Sequence, residues 1–177
     1  MLFNKEIEQI QSAAAKVELL LLDVDGVLTD GRLYFSNSGE ELKAFSTLDG
    51  HGIKMLRSVG VEVGIISGRT SQLLERRAAD LGIKLLYQGR EDKLNVLNDI
   101  LAEKTLESGK VCYVGDDLPD LPVLRAVGLS ISVPMGHPDI IAAVDAVTQA
   151  AAGLGAVREV TDFLLQCRGS YQQFIDS

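Results

Sequence analysis

The sequence predicts an α/β fold built on a doubly wound, mainly parallel sheet, and three observations lead there. Short strand-like runs recur at Leu19 to Leu22, Val61 to Ile66, Val111 to Val114 and Leu129 to Val133, and the first of them is apolar without polar alternation, as a strand buried on both faces requires. Stretches of helical period separate them, so the connections read as right-handed crossovers. Acid, hydroxyl and glycine residues gather just after these runs, at the carboxyl ends where such sheets bind ligands.

The chain has 177 residues, enough for one domain, 1–177, with a sizeable core and too few for two ordinary ones. Its formal charge of −8 argues against long-range attraction to nucleic acid or to an anionic membrane, so any anionic substrate must be attracted locally. Cys112 and Cys167 lack metal-type spacing and read as free thiols in a reducing cytosol. The N-terminus carries acids where a signal peptide needs a basic start, and no apolar run approaches membrane-spanning length. The expectation is a cytoplasmic protein.

Asn4 to Lys16 reads as a helix with Ile7, Ile10 and Ala14 on one face, delivering the chain into the first strand. That strand ends on Asp23-Val-Asp25-Gly26. Two carboxylates two residues apart leave an extended chain on the same side, and Gly26 lets the chain turn away at once. Such a cluster suits a hard divalent cation that takes few carboxylates, as Mg²⁺ does; the alternative is an acidic turn. Residues 32–45 then read as a hairpin flap around Ser36-Asn37-Ser38-Gly39, placed to overhang the acids.

Gly50 to Val59 is a short helix, and the strand Val61 to Ile66 ends in Ser67-Gly68-Arg69-Thr70. There a hydroxyl and backbone N–H groups could meet an oxyanion, or Ser67 could be an ordinary helix cap. A helix follows over Gln72 to Leu81, closed by Gly82, then a strand at Lys84 to Tyr87 and a helix from Lys93 to about Leu106 with Leu94, Leu97, Ile100 and Leu101 on one face. Lys93 opposes the dipole at that helix's start, so it either meets an anion or is a solvated surface lysine.

Val111 to Val114 runs into Gly115-Asp116-Asp117-Leu118-Pro119-Asp120, a second acid-lined strand mouth with proline in the first helical turn. Asp117 or Asp120 could cap that turn, but three acids exceed what capping needs. The rest reads as a strand at Leu129 to Val133, a helix at Pro138 to Ala143, an edge strand around Asp145 to Thr148 and an amphipathic helix over Ala156 to Cys167. A polar tail, 168–177, is either free or docks elsewhere.

Asp23 and Asp25, Ser67, Lys93, and Asp116 with Asp117 and Asp120 thus fall on one rim. That set suits phosphoryl transfer through a carboxylate nucleophile. A metal offsets charge repulsion, a lysine and a hydroxyl hold phosphate oxygens, and a second acid serves the leaving group and then water.

Asp23-Val-Asp-Gly-Val-Leu-Thr, Ile66-Ser67-Gly-Arg, Lys93 and Gly115-Asp116-Asp117-Leu-Pro-Asp120 resemble the four motifs of the haloacid dehalogenase superfamily of phosphatases. The resemblance implies that Asp23 is the nucleophile and Asp25 the general acid and base. It implies Ser67 and Lys93 as phosphate ligands, with Mg²⁺ held by Asp23, the Asp25 carbonyl and Asp116. Asp117 and Asp120 would stand behind these ligands or act through water.

The short gaps between motifs leave no room for a cap domain. With Asp49-Gly-His-Gly-Ile-Lys, Leu86-Tyr-Gln-Gly-Arg and Gly155-Ala-Val-Arg-Glu-Val, the chain resembles the 3-deoxy-D-manno-octulosonate 8-phosphate phosphatases and the related nonulosonate 9-phosphate phosphatases. That resemblance implies a phosphorylated sugar acid as substrate and a homotetramer whose flap and C-terminal segment complete a neighbour's site. Leu48 and Leu154 stand where the octulosonate pattern often has Arg, which leaves Arg69 and Arg77, and more weakly Arg158, as candidates for a substrate carboxylate. The competing readings are a phospho-receiver domain and a catalytically quiet regulatory subunit. The first lacks its aspartate after a middle strand, and the second would need a broken motif.

Overall fold

The computed structural model describes residues 1–39 and 41–176. In chain order the elements are β1 (Leu2–Phe3), α1 (Ile7–Ala15), β2 (Leu19–Leu22), β3 (Tyr34–Phe35), β4 (Glu41–Leu42), α2 (Thr47–Ser58), β5 (Glu62–Ile66), α3 (Gln72–Leu81) and β6 (Leu85–Tyr87). There follow α4 (Lys93–Lys104), β7 (Val111–Val114), α5 (Leu121–Leu124), β8 (Leu129–Ser132), α6 (Pro138–Ala143), β9 (Ala146–Val147) and α7 (Ala156–Cys167).

The main sheet runs β1-β9-β8-β7-β2-β5-β6, parallel throughout except for β1. From β2 the chain builds outward through β5 and β6 on one side, then returns to build β7, β8 and β9 on the other. The carboxyl end of β2 is therefore the point where the winding reverses and a crevice opens. This is the predicted doubly wound α/β class.

Because side chains alternate along a strand, Leu20 and Leu22 enter one core and Leu19 and Leu21 the other. The first core packs against α1, α2, α3 and α7, and the second against α4, α5 and α6. All four leucines are essentially without solvent contact, which accounts for the unbroken apolar run.

Several elements differ from the sequence reading. β1 was not foreseen: two residues are too few for a periodic signal, and β1 rather than β9 forms the sheet's edge. The first helix begins at Ile7 because the Asn4 side chain is engaged by the carbonyls of Ile141 and Val144, and Ile7 is left largely exposed. α2 begins at Thr47 rather than Gly50, with the Ser46 hydroxyl accepting the Asp49 amide. Residues Leu94 and Leu101 only border the second core, whereas α4 buries Val96 alongside Leu97 and Ile100.

The flap 32–45 is a two-stranded hairpin, shorter than expected, and includes Glu40, which lies outside the described residues. The tail 168–177 docks on its own chain as far as Phe174, with Ile175 and Asp176 exposed; Ser177 is likewise outside the described residues. Arg168 donates to the carbonyls of Ala15 and Val17, and Tyr171 and Phe174 pack against the first core. Asp49, buried at the start of α2, accepts the Arg158 amide in the first turn of α7 at 2.7 Å, so one helix caps another. No helix among the described residues is long and apolar enough to cross a membrane.

Candidate active site

A cavity of about 740 Å³ opens at the carboxyl edge of the sheet, around β2 and its neighbours. Asp23, Asp25, Ser67, Gly68, Arg69, Lys93, Asp116, Asp117 and Asp120 all line it. The structure thus brings together every candidate except Arg77 and Arg158; Arg158 pairs with Asp162 at 2.7 Å and lines a separate cavity with Leu48 and Leu154. The Arg77 guanidinium instead donates to the Ser46 carbonyl at 2.9 Å and lies over the Phe45 ring, where it braces the start of α2.

Strand ends deliver Asp23, Ser67 and Asp116, whereas Lys93 opens α4. Asp23 follows β2 directly, and its amide continues the parallel ladder to the Val114 carbonyl. Gly26 turns the chain at φ 94°, and a side chain there would put Cβ 2.1 Å from Asp116 Oδ2. Glycine is therefore required both for the conformation and for the close approach of the second acid-bearing strand.

Ser67 follows β5 and is buried. The helix behind it begins only at Gln72, with Ser71 at the cap position, so Ser67 is not that helix's cap. Its hydroxyl accepts the Arg69 amide, which leaves its own proton to donate.

Lys93 is 4% exposed, which excludes the solvated-lysine alternative. Its ammonium lies 2.9 Å from Asp23 Oδ1 and 2.7 Å from Asp120 Oδ1. Burial disfavours the lysine charge, but the two carboxylates outweigh burial and hold its pKa above the usual value.

Asp120 is buried and fully engaged. Oδ1 accepts Lys93 and, at 2.6 Å, the Tyr113 hydroxyl; Oδ2 accepts the amides of Asp116 and Asp117. Asp117 and Asp120 together form a capping box on the turn 118–120, so the capping alternative holds for both, in addition to their place in the cavity.

Carboxylate oxygens of Asp23, Asp116 and Asp120 lie within 4.8 Å of one another. Burial, then repulsion from Asp120, pushes Asp23 up to about 6 despite Lys93; burial, then repulsion from Asp23, pushes Asp116 to about 7. Asp116 Oδ1 is buried with no hydrogen-bond partner among the described residues. A carboxylate oxygen left without a donor beside two further acids fits a bound cation. Since Asp120 spends its oxygens on four hydrogen bonds, Asp23 and Asp116 are the side chains with capacity to spare.

Asp25 meets the flap. The Lys43 ammonium, from the residue after β4, is in direct contact with Asp25 Oδ1; Arg69 Nε lies 3.7 Å from Oδ2, and Glu41 receives both cations. Lys43 was missed at the sequence level. Its one signal was a charge among Leu42, Ala44 and Phe45 in a hairpin facing the acids. Tyr113 was also missed, having been read simply as apolar strand.

A family model for haloacid dehalogenase-like hydrolases matches residues 86–160. The 3-deoxy-D-manno-octulosonate 8-phosphate phosphatase KdsC of Escherichia coli BL21-DE3 is 48% identical over 93% of this chain and 87% of its own. The solved phosphatase of that name from Yersinia pestis superposes with a TM-score of 0.92 at 45% identity, covering 93% of this chain and 89% of its own. The Moraxella catarrhalis enzyme, solved with magnesium ion, phosphate ion and KDO, gives 0.95 at 38% identity over 97% and 98%. With the four motifs in place around one cleft, the chain belongs to the 3-deoxy-D-manno-octulosonate 8-phosphate phosphatase family of haloacid dehalogenase-like hydrolases.

Proposed function

We propose that this chain hydrolyses the phosphate monoester of 3-deoxy-D-manno-octulosonate 8-phosphate, giving the free sugar acid and inorganic phosphate with Mg²⁺ as cofactor. The observation that carries the reading is the Lys93 ammonium held between Asp23 and Asp120, with Asp116 beside them and Ser67 on the same cavity.

In this mechanism an Asp23 oxygen attacks phosphorus as the bond to the sugar oxygen breaks, and the leaving alkoxide takes a proton from Asp25. Water then attacks phosphorus in the aspartyl phosphate, Asp25 takes its proton, and phosphate leaves with Asp23 restored. Lys93, the Ser67 hydroxyl and the backbone at Gly68 hold the phosphate oxygens. Asp23, the Asp25 carbonyl and Asp116 would hold Mg²⁺, which when bound offsets the repulsion between carboxylate and phosphate. Arg69, which lines the cleft and is only loosely paired, is the cation placed to meet the substrate carboxylate.

The same reading makes the protein a cytoplasmic homotetramer. Phe35 and Leu42 on the hairpin are 64% and 65% exposed, and a two-stranded hairpin is marginal alone, so a second copy covering it is the economical arrangement.

Phosphate release should be measured from the octulosonate 8-phosphate and a nonulosonate 9-phosphate, with Mg²⁺ and with chelator. The expected result is Mg²⁺-dependent turnover that favours the octulosonate and falls at least about a thousandfold in Asp23→Asn. Retained turnover in that variant refutes the aspartyl-phosphate route, and preference for the nonulosonate reassigns the substrate.

A further inference from the structure

Tyr113 is the one polar side chain on β7, flanked by Cys112 and Val114, and it has essentially no solvent contact. Its ring packs in the second hydrophobic core with Leu19, Leu21 and Ile66. A phenylalanine would fill the same space without the cost of desolvating a hydroxyl. The hydroxyl therefore needs an account, and its partner supplies one: it donates to Asp120 Oδ1 at 2.6 Å, the oxygen that also receives Lys93 at 2.7 Å.

An ammonium has three protons to give. One goes to Asp120 and one to Asp23 at 2.9 Å, leaving one for an incoming oxygen. This division requires Asp120 to stay put. Oδ2 is pinned by the amides of Asp116 and Asp117, but Oδ1 would otherwise have Lys93 alone. A neutral donor on Oδ1 fixes the carboxylate without adding charge and competes with Lys93 for that oxygen. It thereby keeps the ammonium from being drawn wholly onto Asp120 and away from Asp23.

We infer that Tyr113 is a positioning residue for the phosphate-binding lysine: through Asp120 it holds Lys93 at the distance from Asp23 at which a phosphate oxygen can bridge them. The inference rests on the phosphatase reading above and adds to it a residue that touches neither substrate nor metal.

The test is a double-mutant cycle of Tyr113→Phe and Asp120→Asn, reading kcat, KM, inhibition by inorganic phosphate and the Mg²⁺ half-saturation concentration, with a thermal melt for each variant. Tyr113→Phe is expected to lower kcat about tenfold and weaken phosphate inhibition several-fold, while the Mg²⁺ half-saturation stays within about twofold. In the Asp120→Asn background the same change should cost less than about twofold, because the relay is already broken. A purely structural role would lower the melting midpoint and leave phosphate inhibition untouched. That result overturns the inference, as would full additivity in the cycle or an unaltered kcat. Wild-type protein inert toward phosphomonoesters in Mg²⁺ would instead overturn the phosphatase reading, and this inference with it.

Discussion

Without a divalent cation the acid cluster should make the protein less stable as pH rises, the reverse of what ion-paired carboxylates do. Asp23 is raised from 3.8 to about 6 and Asp116 from 3.8 to about 7. Between about pH 4 and pH 7 the folded state therefore binds more protons than the unfolded chain, and stability declines across that window. Each pH unit of raised pKa is worth about 1.4 kcal/mol, and the two acids share one repulsion. From about pH 5 to about pH 8 the fall should thus be about 2–4 kcal/mol, or about 4–16 °C in melting midpoint for a chain of this size.

Asp49, also raised by burial, adds to the same trend. Asp92, lowered to about 2 by Arg90, acts only below the window, and Lys93, raised, acts above it. Thermal melts in chelator across that range, repeated with saturating Mg²⁺ and in Asp116→Asn, check the reasoning. The metal should recover about 2.7 kcal/mol at a hundred times its Kd at the alkaline end, and the variant should flatten the slope. Stability that rises with pH in chelator, or a slope unchanged in Asp116→Asn, refutes the coupling.

Gly26→Ala forces a side chain onto Asp116 at a positive φ, and turnover should drop about a hundredfold with the fold retained, as kinetics and circular dichroism would show. Leu42→Glu on the exposed hairpin should lower the solution mass by light scattering from that of the proposed tetramer; an unchanged mass removes the hairpin from any interface between copies. Arg168→Ala withdraws a charged donor from two carbonyls and should cost about 1–2 kcal/mol in urea denaturation, since the tail is docked.

The strands, the crossovers and the rim of acids were legible in the sequence because burial on both faces leaves an unbroken apolar run, and because strand ends in parallel sheets must house the polar chemistry. Asp23, Ser67, Lys93 and Asp116 converge because β2 lies between β5 and β7, an order that local spacing only implies. What stayed hidden depended on contacts distant in sequence. Lys43 reads as a surface charge until the hairpin folds over Asp25, and Tyr113 reads as core until Asp120 turns inward to meet it. Arg77 looked available because nothing local reveals the Ser46 carbonyl waiting for it. β1 is held by a partner more than a hundred residues away, and two residues carry no period of their own.

The contact between Asp49 and the Arg158 amide spans 109 residues. A ribosome must add those 109 residues after Asp49 before that carboxylate finds its donor, and until then an acid destined for the interior must remain hydrated. The helix it heads cannot settle onto the sheet with its charge unmet, so the face formed by α1, α2 and α7 should close late and together. Synthesis of α7 is thus the event that locks α1 and α2 in place.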